Sequence, residues 1–268
     1  VQSRDLLAVD VALPEHEIVR LVSAATRRSR SDVLLGFEVT PEAASRFDAY
    51  VVRRLADEPL QYIEGSVPFG PVDLLVDPRV LVPRPETEYL FEQAAASVRD
   101  PSVIVDLCTG SGNLALALAA TFRDATVYAV DLSQDAAAVA NANAEHNKLD
   151  ITILVGDLFD PLPCDLLGKV DLLVSNPPYL ASSEVEGLPR DVLAEPRMAL
   201  VAGARGDEVV QRIARDAHRW LRPGGVIVCE ISEFFADRTV RHFRHLGGEI
   251  RRDLTGRDRF VIGRRGVE

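Results

Sequence analysis

No stretch of this 268-residue chain approaches the roughly 18–20 uninterrupted apolar residues that a membrane-spanning helix needs. The N-terminus also lacks the basic-then-apolar pattern of a secretion signal, so a cytoplasmic protein that does not engage membranes is expected. Cysteine is scarce. Cys108, Cys164 and Cys229 stand far apart with no CxxC pair, which argues against a disulfide framework or a thiolate zinc site and predicts reduced thiols in or near the core. His16, His146, His218, His242 and His245 show no metal-ligand spacing beyond a weak His242/His245 pair, so no metal is expected and none of them is assigned to catalysis. Positive charge is also in short supply: 30 Lys and Arg against 41 Asp and Glu leave a net charge of -11. Tight duplex binding draws on a basic face that displaces counterions from phosphates, so stable DNA binding is not expected.

What is present is an ordinary globular composition, 47% hydrophobic and 26% charged, long enough for one α/β core and a small accessory domain. Glu15 to Arg30 reads as one helix with Ile18, Val19, Leu21, Val22 and Ala25 on its apolar face. Thr40-Pro41-Glu42 is a second helix start, cap followed by first-turn proline, leading into Ala44, Phe47, Tyr50, Val51 and Leu55. Residues 1–64 are therefore expected to form a helical N-terminal domain, with substrate recognition as its expected role. Its Arg27, Arg28, Arg30, Arg53 and Arg54 suit a solvated helix face or a contact with RNA or an acidic partner. Residues 65–83 carry short β-prone runs, Val72–Val76 and Val80–Val82, among Pro68, Gly70, Pro71, Pro78 and Pro83, and read as a β-hairpin linker.

Residues 84–268 are expected to form the larger domain. A helix is expected from Glu86 to Val98, followed by apolar strands at Val103–Leu107, Thr126–Asp131, Ile151–Asp157, Val170–Asn176 and Gly225–Ile231 with helices between them. That alternation predicts a parallel sheet covered on both faces. Glu249–Leu254 and Arg259–Gly263 follow one another across the turn Thr255–Asp258, a closing antiparallel hairpin of the kind found in seven-stranded methyltransferase sheets.

The first strand of this domain runs into Asp106-Leu107-Cys108-Thr109-Gly110-Ser111-Gly112 and then a helical run. Glycines at a strand-to-helix turn let backbone approach a ligand, and the helix start offers unpaired N–H groups. Asp131, with Leu132 after it, ends the next strand, where a carboxylate accepts from a ribose diol. NAD and S-adenosylmethionine both satisfy this much. Three details favour the methyl donor: a GxG spacing without a third glycine, the acidic Asp106 within the strand, and Gly156-Asp157-Leu158 at the end of the third strand. There Asp157 suits the adenine amino group and Leu158 its ring face. A tight turn with Asp131 as a helix cap is the plainer alternative for the loop alone.

The fourth strand runs directly into Asn176-Pro177-Pro178-Tyr179, at the edge of the sheet where parallel α/β proteins bind ligands. Two prolines make this loop rigid. The Asn176 side-chain oxygen and the Pro177 carbonyl suit the two hydrogens of a planar NH2 group, and Tyr179 offers a face for stacking. These four are the candidate catalytic residues, with Asn176 also facing the cofactor. Orientation and electrostatic complementarity are the catalytic terms this loop can supply.

With these residues in view, the chain resembles the protein N5-glutamine methyltransferases that act on peptide chain release factors. The resemblance rests on Glu58-Pro59-Leu60-Gln61-Tyr62-Ile63 with Gly65, on Val80-Leu81-Val82-Pro83-Arg84-Pro85-Glu86-Thr87-Glu88, on Asp106–Gly112, on Asn176–Tyr179, and on Glu195-Pro196 with Ala199-Leu200. It implies an α/β fold, a Rossmann-like seven-stranded methyltransferase sheet with a small helical N-terminal domain and a β-hairpin linker. It further implies S-adenosylmethionine as cofactor and the glutamine of a release factor's Gly-Gly-Gln loop as methyl acceptor. By position, Cys108 to Gly112, Asp131 and Leu158 are the implied cofactor contacts and Asn176 to Tyr179 the amide clamp. Arg84, Glu86 and Glu195 are placed behind the substrate pocket, where an ion pair or helix cap is an equal alternative. Two departures stand out: Cys108 where the family usually has glycine, which a small side chain should satisfy, and Glu230-Ile231-Ser232-Glu233-Phe234-Phe235, where glycine and glutamine are typical. They keep open an amide or guanidino nitrogen of a small molecule as acceptor, and less favourably adenine or guanine of a nucleic acid.

Overall fold

The computed structural model describes residues 2–8 and 11–267, which form two compact units. The first comprises residues up to Ser66 together with Pro189–Ala194. It holds α1 (Ser3–Leu7), α2 (Glu15–Thr26), α3 (Arg30–Leu35), α4 (Pro41–Leu55), α5 (Leu60–Glu64) and the single turn α9 (Arg190–Leu193). Its core is made by Leu21, Val22, Ala25, Val33 and Phe47. The helix expected to run to Arg30 stops at Thr26, because Arg27 takes the left-handed conformation (φ 56°) and Ser29 opens α3 with a reciprocal cap to Asp32. Two of the arginines considered for partner contact are used internally: Arg53 pairs with Glu58 and Arg54 with Glu17.

The second unit spans Val67–Leu188 and Glu195 onward. It opens with the hairpin β1 (Ser66–Phe69) and β2 (Val72–Leu75), turned at Gly70 (φ 49°). Val80–Val82, read above as a strand, is not one; Val72–Leu75 pairs with the segment before it, since Gly70-Pro71 supplies the tight turn. Then come α6 (Pro85–Ser97), β3 (Val103–Leu107), α7 (Asn113–Thr121), β4 (Thr126–Asp131), α8 (Gln134–Asn147), β5 (Thr152–Val155), β6 (Val170–Ser175), β7 (Leu180–Ala181), α10 (Arg197–Leu200), β8 (Val201–Gly203), α11 (Glu208–Trp220), β9 (Leu221–Glu230), β10 (Glu249–Arg252) and β11 (Asp258–Arg264).

Seven of these strands form one sheet in the order β10-β11-β9-β6-β3-β4-β5. β5, β4, β3, β6 and β9 run parallel, and β11 enters antiparallel between β9 and β10. Alternate residues feed two cores. Val105, Leu107, Leu173, Ile227 and Cys229 face one layer of helices, while Ile104, Leu172, Val174, Val226 and Val228 face the other. Strands apolar on both faces are what a doubly covered parallel sheet requires. Of the three thiols, Cys229 is buried and Cys108 partly so, but Cys164 is exposed, outside the core expected for it. No helix among the described residues is long and apolar enough to cross a membrane, and no group of three or more metal-ligating side chains is found among them.

Candidate active site

At the C-terminal ends of β3, β4, β5 and β6 lies a cavity of about 240 Å³. Cys108, Thr109, Gly110 and Ser111 from the turn after β3 line it, with Asp131 and Leu132 from the end of β4, Asp157 and Leu158 after β5, and Asn176 and Pro178 after β6. Residues as far apart in sequence as Cys108 and Pro178 thus meet because four parallel strands end side by side.

Asp106, Gly112, Pro177 and Tyr179 are not on that wall among the described residues. Asp106 is fully buried beneath the turn: one carboxyl oxygen accepts from Thr109 Oγ1 at 2.6 Å and from the Ala115 amide at 3.2 Å, and the other has no hydrogen-bond partner. Burial pushes its carboxyl up to about 7, against the pull of those two bonds. Gly112 begins α7 with φ 83°, a conformation suited to glycine, and a side chain there would crowd Leu116 at 3.2 Å and Ala140 at 3.3 Å. Gly110 has φ 55° and nothing within 4 Å of the position a Cβ would take.

Cys108 has φ 59°. The usual glycine at this position is therefore explained by backbone conformation, and side-chain size, offered above as the criterion, is not what the site tests. Its thiol is pushed up by burial first and then by the carboxylates of Asp131 and Asp106, which favours the protonated form. Asp131 accepts from the Gly110 amide with one oxygen and from the Ser133 amide with the other, both at 2.8 Å. That ties the glycine turn to the end of β4 and leaves two further lone pairs for a ligand. Asp157 is held by Arg212 of α11 at 2.7 Å.

The Asn176 side chain is oriented from behind. Its Nδ2 donates to Thr87 Oγ1 at 2.9 Å, and Thr87 Oγ1 donates to Glu230 Oε2 at 2.8 Å. The Tyr179 phenol donates to the other Glu230 oxygen at 3.2 Å, so the tyrosine read above as a stacking face is anchored by its hydroxyl. Arg84 pairs with the buried Glu195 at 2.5 Å and Glu86 with Arg257 at 2.7 Å, which are the ion pairs weighed as alternatives for these residues.

Sequence reasoning missed a second wall. Arg79, Leu81 and Pro83, assigned to the linker, line the same cavity, as do Pro196, Met198 and Val201. Their signal was proximity to motif residues, since Val80–Pro83 leads straight into the Arg84–Glu88 run. Asn143 of α8 was also passed over. It is fully buried, accepts from the Leu75 amide at 2.6 Å and donates to the Leu75 carbonyl at 3.0 Å and the Ser111 carbonyl at 2.8 Å, joining hairpin to glycine turn.

Two family models match: the methyltransferase small domain over residues 87–204 and the PrmC N-terminal domain over residues 2–65. The release factor glutamine methyltransferase of Mycolicibacterium smegmatis is 41% identical, covering 97% of this chain and 94% of its own. That of Deinococcus radiodurans is 37% identical, covering 99% of each. A methyltransferase of Pyrococcus furiosus, 19% identical, shares the fold with a TM-score of 0.54 over 83% of this chain and 99% of its own. With end-to-end identity at this level and both domains matched, the chain is an enzyme of the release factor glutamine methyltransferase family.

Proposed function

We propose that the enzyme transfers the methyl group of S-adenosylmethionine to the side-chain amide nitrogen of the glutamine in the Gly-Gly-Gln loop of a peptide chain release factor. The observation that carries this reading is that the glycine turn after β3 and, through Asn176 and Pro178, the loop after β6 border one cavity. Bare backbone at Gly110, the Asp131 carboxylate and the apolar face of Leu158 fit a nucleoside with a charged tail, so Cys108–Ser111, Asp131, Leu132, Asp157 and Leu158 would hold the cofactor. When bound, S-adenosylmethionine supplies an electrophilic methyl on a sulfonium centre.

The acceptor amide is a weak nucleophile because its lone pair is delocalised. Asn176 Oδ1 and the Pro177 carbonyl accept its two hydrogens, hold the NH2 group in one orientation, and favour the positive charge that develops on nitrogen. The flanking prolines keep these acceptors in place without a hinge. The named activity of relatives matched over their whole length favours a protein glutamine over a small-molecule amide, and the net charge of -11 disfavours nucleic acid.

The test is transfer of labelled methyl to a purified release factor. Label is expected on the loop glutamine, absent when that glutamine is replaced and lost in Asn176→Ala. Cofactor binding with no transfer to any release factor refutes the acceptor assignment.

A further inference from the structure

The sequence singled out the run Arg84–Glu88 and the unusual stretch Glu230–Phe235 but gave neither Thr87 nor Glu230 a task. In the fold these two meet behind Asn176. Glu230 is the last residue of β9, and β9 pairs with β6 so that Cys229 lies beside Ser175. Glu230 comes next on β9, and Asn176 is the first residue after β6. Helix α6 packs on β9 and brings Thr87 into the gap between them. Thr87 is wholly buried and Glu230 is 1% exposed, so neither side chain can meet the substrate directly.

We infer that Thr87 and Glu230 are positioning residues that set which way the Asn176 amide faces. This rests on Asn176 being the amide clamp. A threonine hydroxyl has one proton to donate. Glu230, as a carboxylate, only accepts, and it takes that proton at 2.8 Å. Thr87 Oγ1 is then left as an acceptor, so Asn176 must turn its NH2 group towards it, as it does at 2.9 Å. Its Oδ1 is left to accept a hydrogen of the substrate amide. The opposite polarity, with the Thr87 proton on Asn176, would present NH2 to NH2 and oppose binding. Tyr179 supports the same polarity by donating its phenol hydrogen to the second Glu230 oxygen, and burial keeps that phenol protonated. Burial pushes the Glu230 carboxyl up to about 7, with the Thr87 hydrogen bond, the Arg259 charge and the Tyr179 hydrogen bond opposing the rise and Glu86 adding to it. Measurements at a pH well above that value hold it ionised.

The experiment compares Thr87→Val, Thr87→Ser, Thr87→Ala and Asn176→Ala by kcat and KM on a release factor at about pH 8.5, with the Kd for S-adenosylmethionine as the folding control. Valine copies the shape of threonine without the hydroxyl, and serine keeps the hydroxyl without the methyl. Thr87→Val is expected to lower kcat about 10- to 100-fold while cofactor affinity is kept, as for a misoriented clamp, and Thr87→Ser to stay within about threefold of the parent. A role in packing predicts the reverse order. If Thr87→Val fails to bind cofactor, Thr87→Ala takes its place with the same expectation. Undiminished kcat in the hydroxyl-free variant, or serine as damaging as valine, overturns the inference while Asn176→Ala remains inactive. Activity retained in Asn176→Ala itself overturns the clamp reading, and this inference with it.

Discussion

Two asparagines one helical turn apart on α8 offer an internally controlled test of how the hairpin is held over the site. Asn143 and Asn147 do the same thing: each side-chain amide pairs with both the N–H and the C=O of one β2 residue, Leu75 for the first and Asp73 for the second. Each thereby acts as a further strand along the edge of the hairpin. They differ in what surrounds them. Asn143 is fully buried and also donates to the Ser111 carbonyl in the glycine turn, whereas the Asn147 bonds to Asp73 lie at the surface and its third bond goes to the Asn143 carbonyl of its own helix. Alanine at either position gains about 0.5 kcal/mol of helix propensity. In Asn147→Ala the two bonds to Asp73 are replaced by water at about 0.5–1.5 kcal/mol each, and the third, from Nδ2 to the Asn143 carbonyl at 2.9 Å, leaves an acceptor that the helix ladder already engages, so the net loss is about 1–2 kcal/mol. In Asn143→Ala the same two bonds are lost, and the Ser111 carbonyl, in a residue only 2% exposed, loses a partner that water cannot easily replace, at about 1–3 kcal/mol more. The expected net loss is about 3 kcal/mol, or roughly 6–12 °C in the unfolding midpoint of a unit this size.

The functional consequence follows from position. Leu75 leads into the segment carrying Arg79, Leu81 and Pro83, and Ser111 belongs to the opposite wall of the cavity. Loss of Asn143 loosens both walls, so cofactor Kd is expected to rise about tenfold, a loss of about 1.4 kcal/mol, while Asn147→Ala leaves it unchanged. Urea unfolding followed by circular dichroism and calorimetric titration of S-adenosylmethionine provide the two readouts. Equal destabilisation by the two alanines, or an unaltered Kd in Asn143→Ala, would refute the argument that burial and the Ser111 bond distinguish them.

Asp106 predicts a pH dependence of stability with a definite sign. Its folded carboxyl stands at about 7 against an ordinary 3.8, so the folded state binds the proton more tightly and stability falls as pH rises from about 4 through 7. Between pH 5 and 8 the loss from this group is on the order of 2–3 kcal/mol, and Asp106→Asn should flatten the profile; an unchanged slope counts against an unrelieved buried carboxyl. The two loop glycines should separate stability from binding. Gly112→Ala meets both a left-handed backbone and contacts at 3.2–3.3 Å and should cost about 2 kcal/mol or more in thermal unfolding. Gly110→Ala meets only the backbone term, about 1 kcal/mol, so its larger effect should appear in cofactor titration. Equal melting losses for the two would show that the Leu116 and Ala140 contacts relax at no cost.

The larger unit was legible because its signals are local. Apolar runs of five or six residues, a glycine turn after the first and an Asn-Pro-Pro-Tyr after the fourth mark strand ends, and parallel pairing then brings those ends together. The misreadings arose where the deciding term was backbone conformation or a distant partner. Arg27 ends α2 by taking a left-handed φ for which nothing in its own identity is a signal. Val80–Val82 has the composition of a strand, but its neighbour across the hairpin is already used by Ser66–Phe69. Asn143 looks like any polar residue of an alanine-rich helix until the hairpin is laid beside it.

The same division bears on the atypical segment at the end of β9. Taken as a string, Glu230–Phe235 departs from the family pattern as a block and suggested a different acceptor. In the fold the block separates into parts with different surroundings. Glu230 is buried against Thr87 and Tyr179, behind Asn176. Glu233 reaches Arg259 at 3.3 Å, and Phe235 lies under the Arg238 guanidinium at 4.4 Å, so both serve local packing near the surface. Phe234 is 75% exposed. The unfamiliar residues therefore follow Glu230 in sequence, and none of Ser232 to Phe235 lines the cavity. A change of methyl acceptor would have to alter the wall that the reacting group meets, and Asn176 and Pro178 stand on that wall whereas the atypical residues do not.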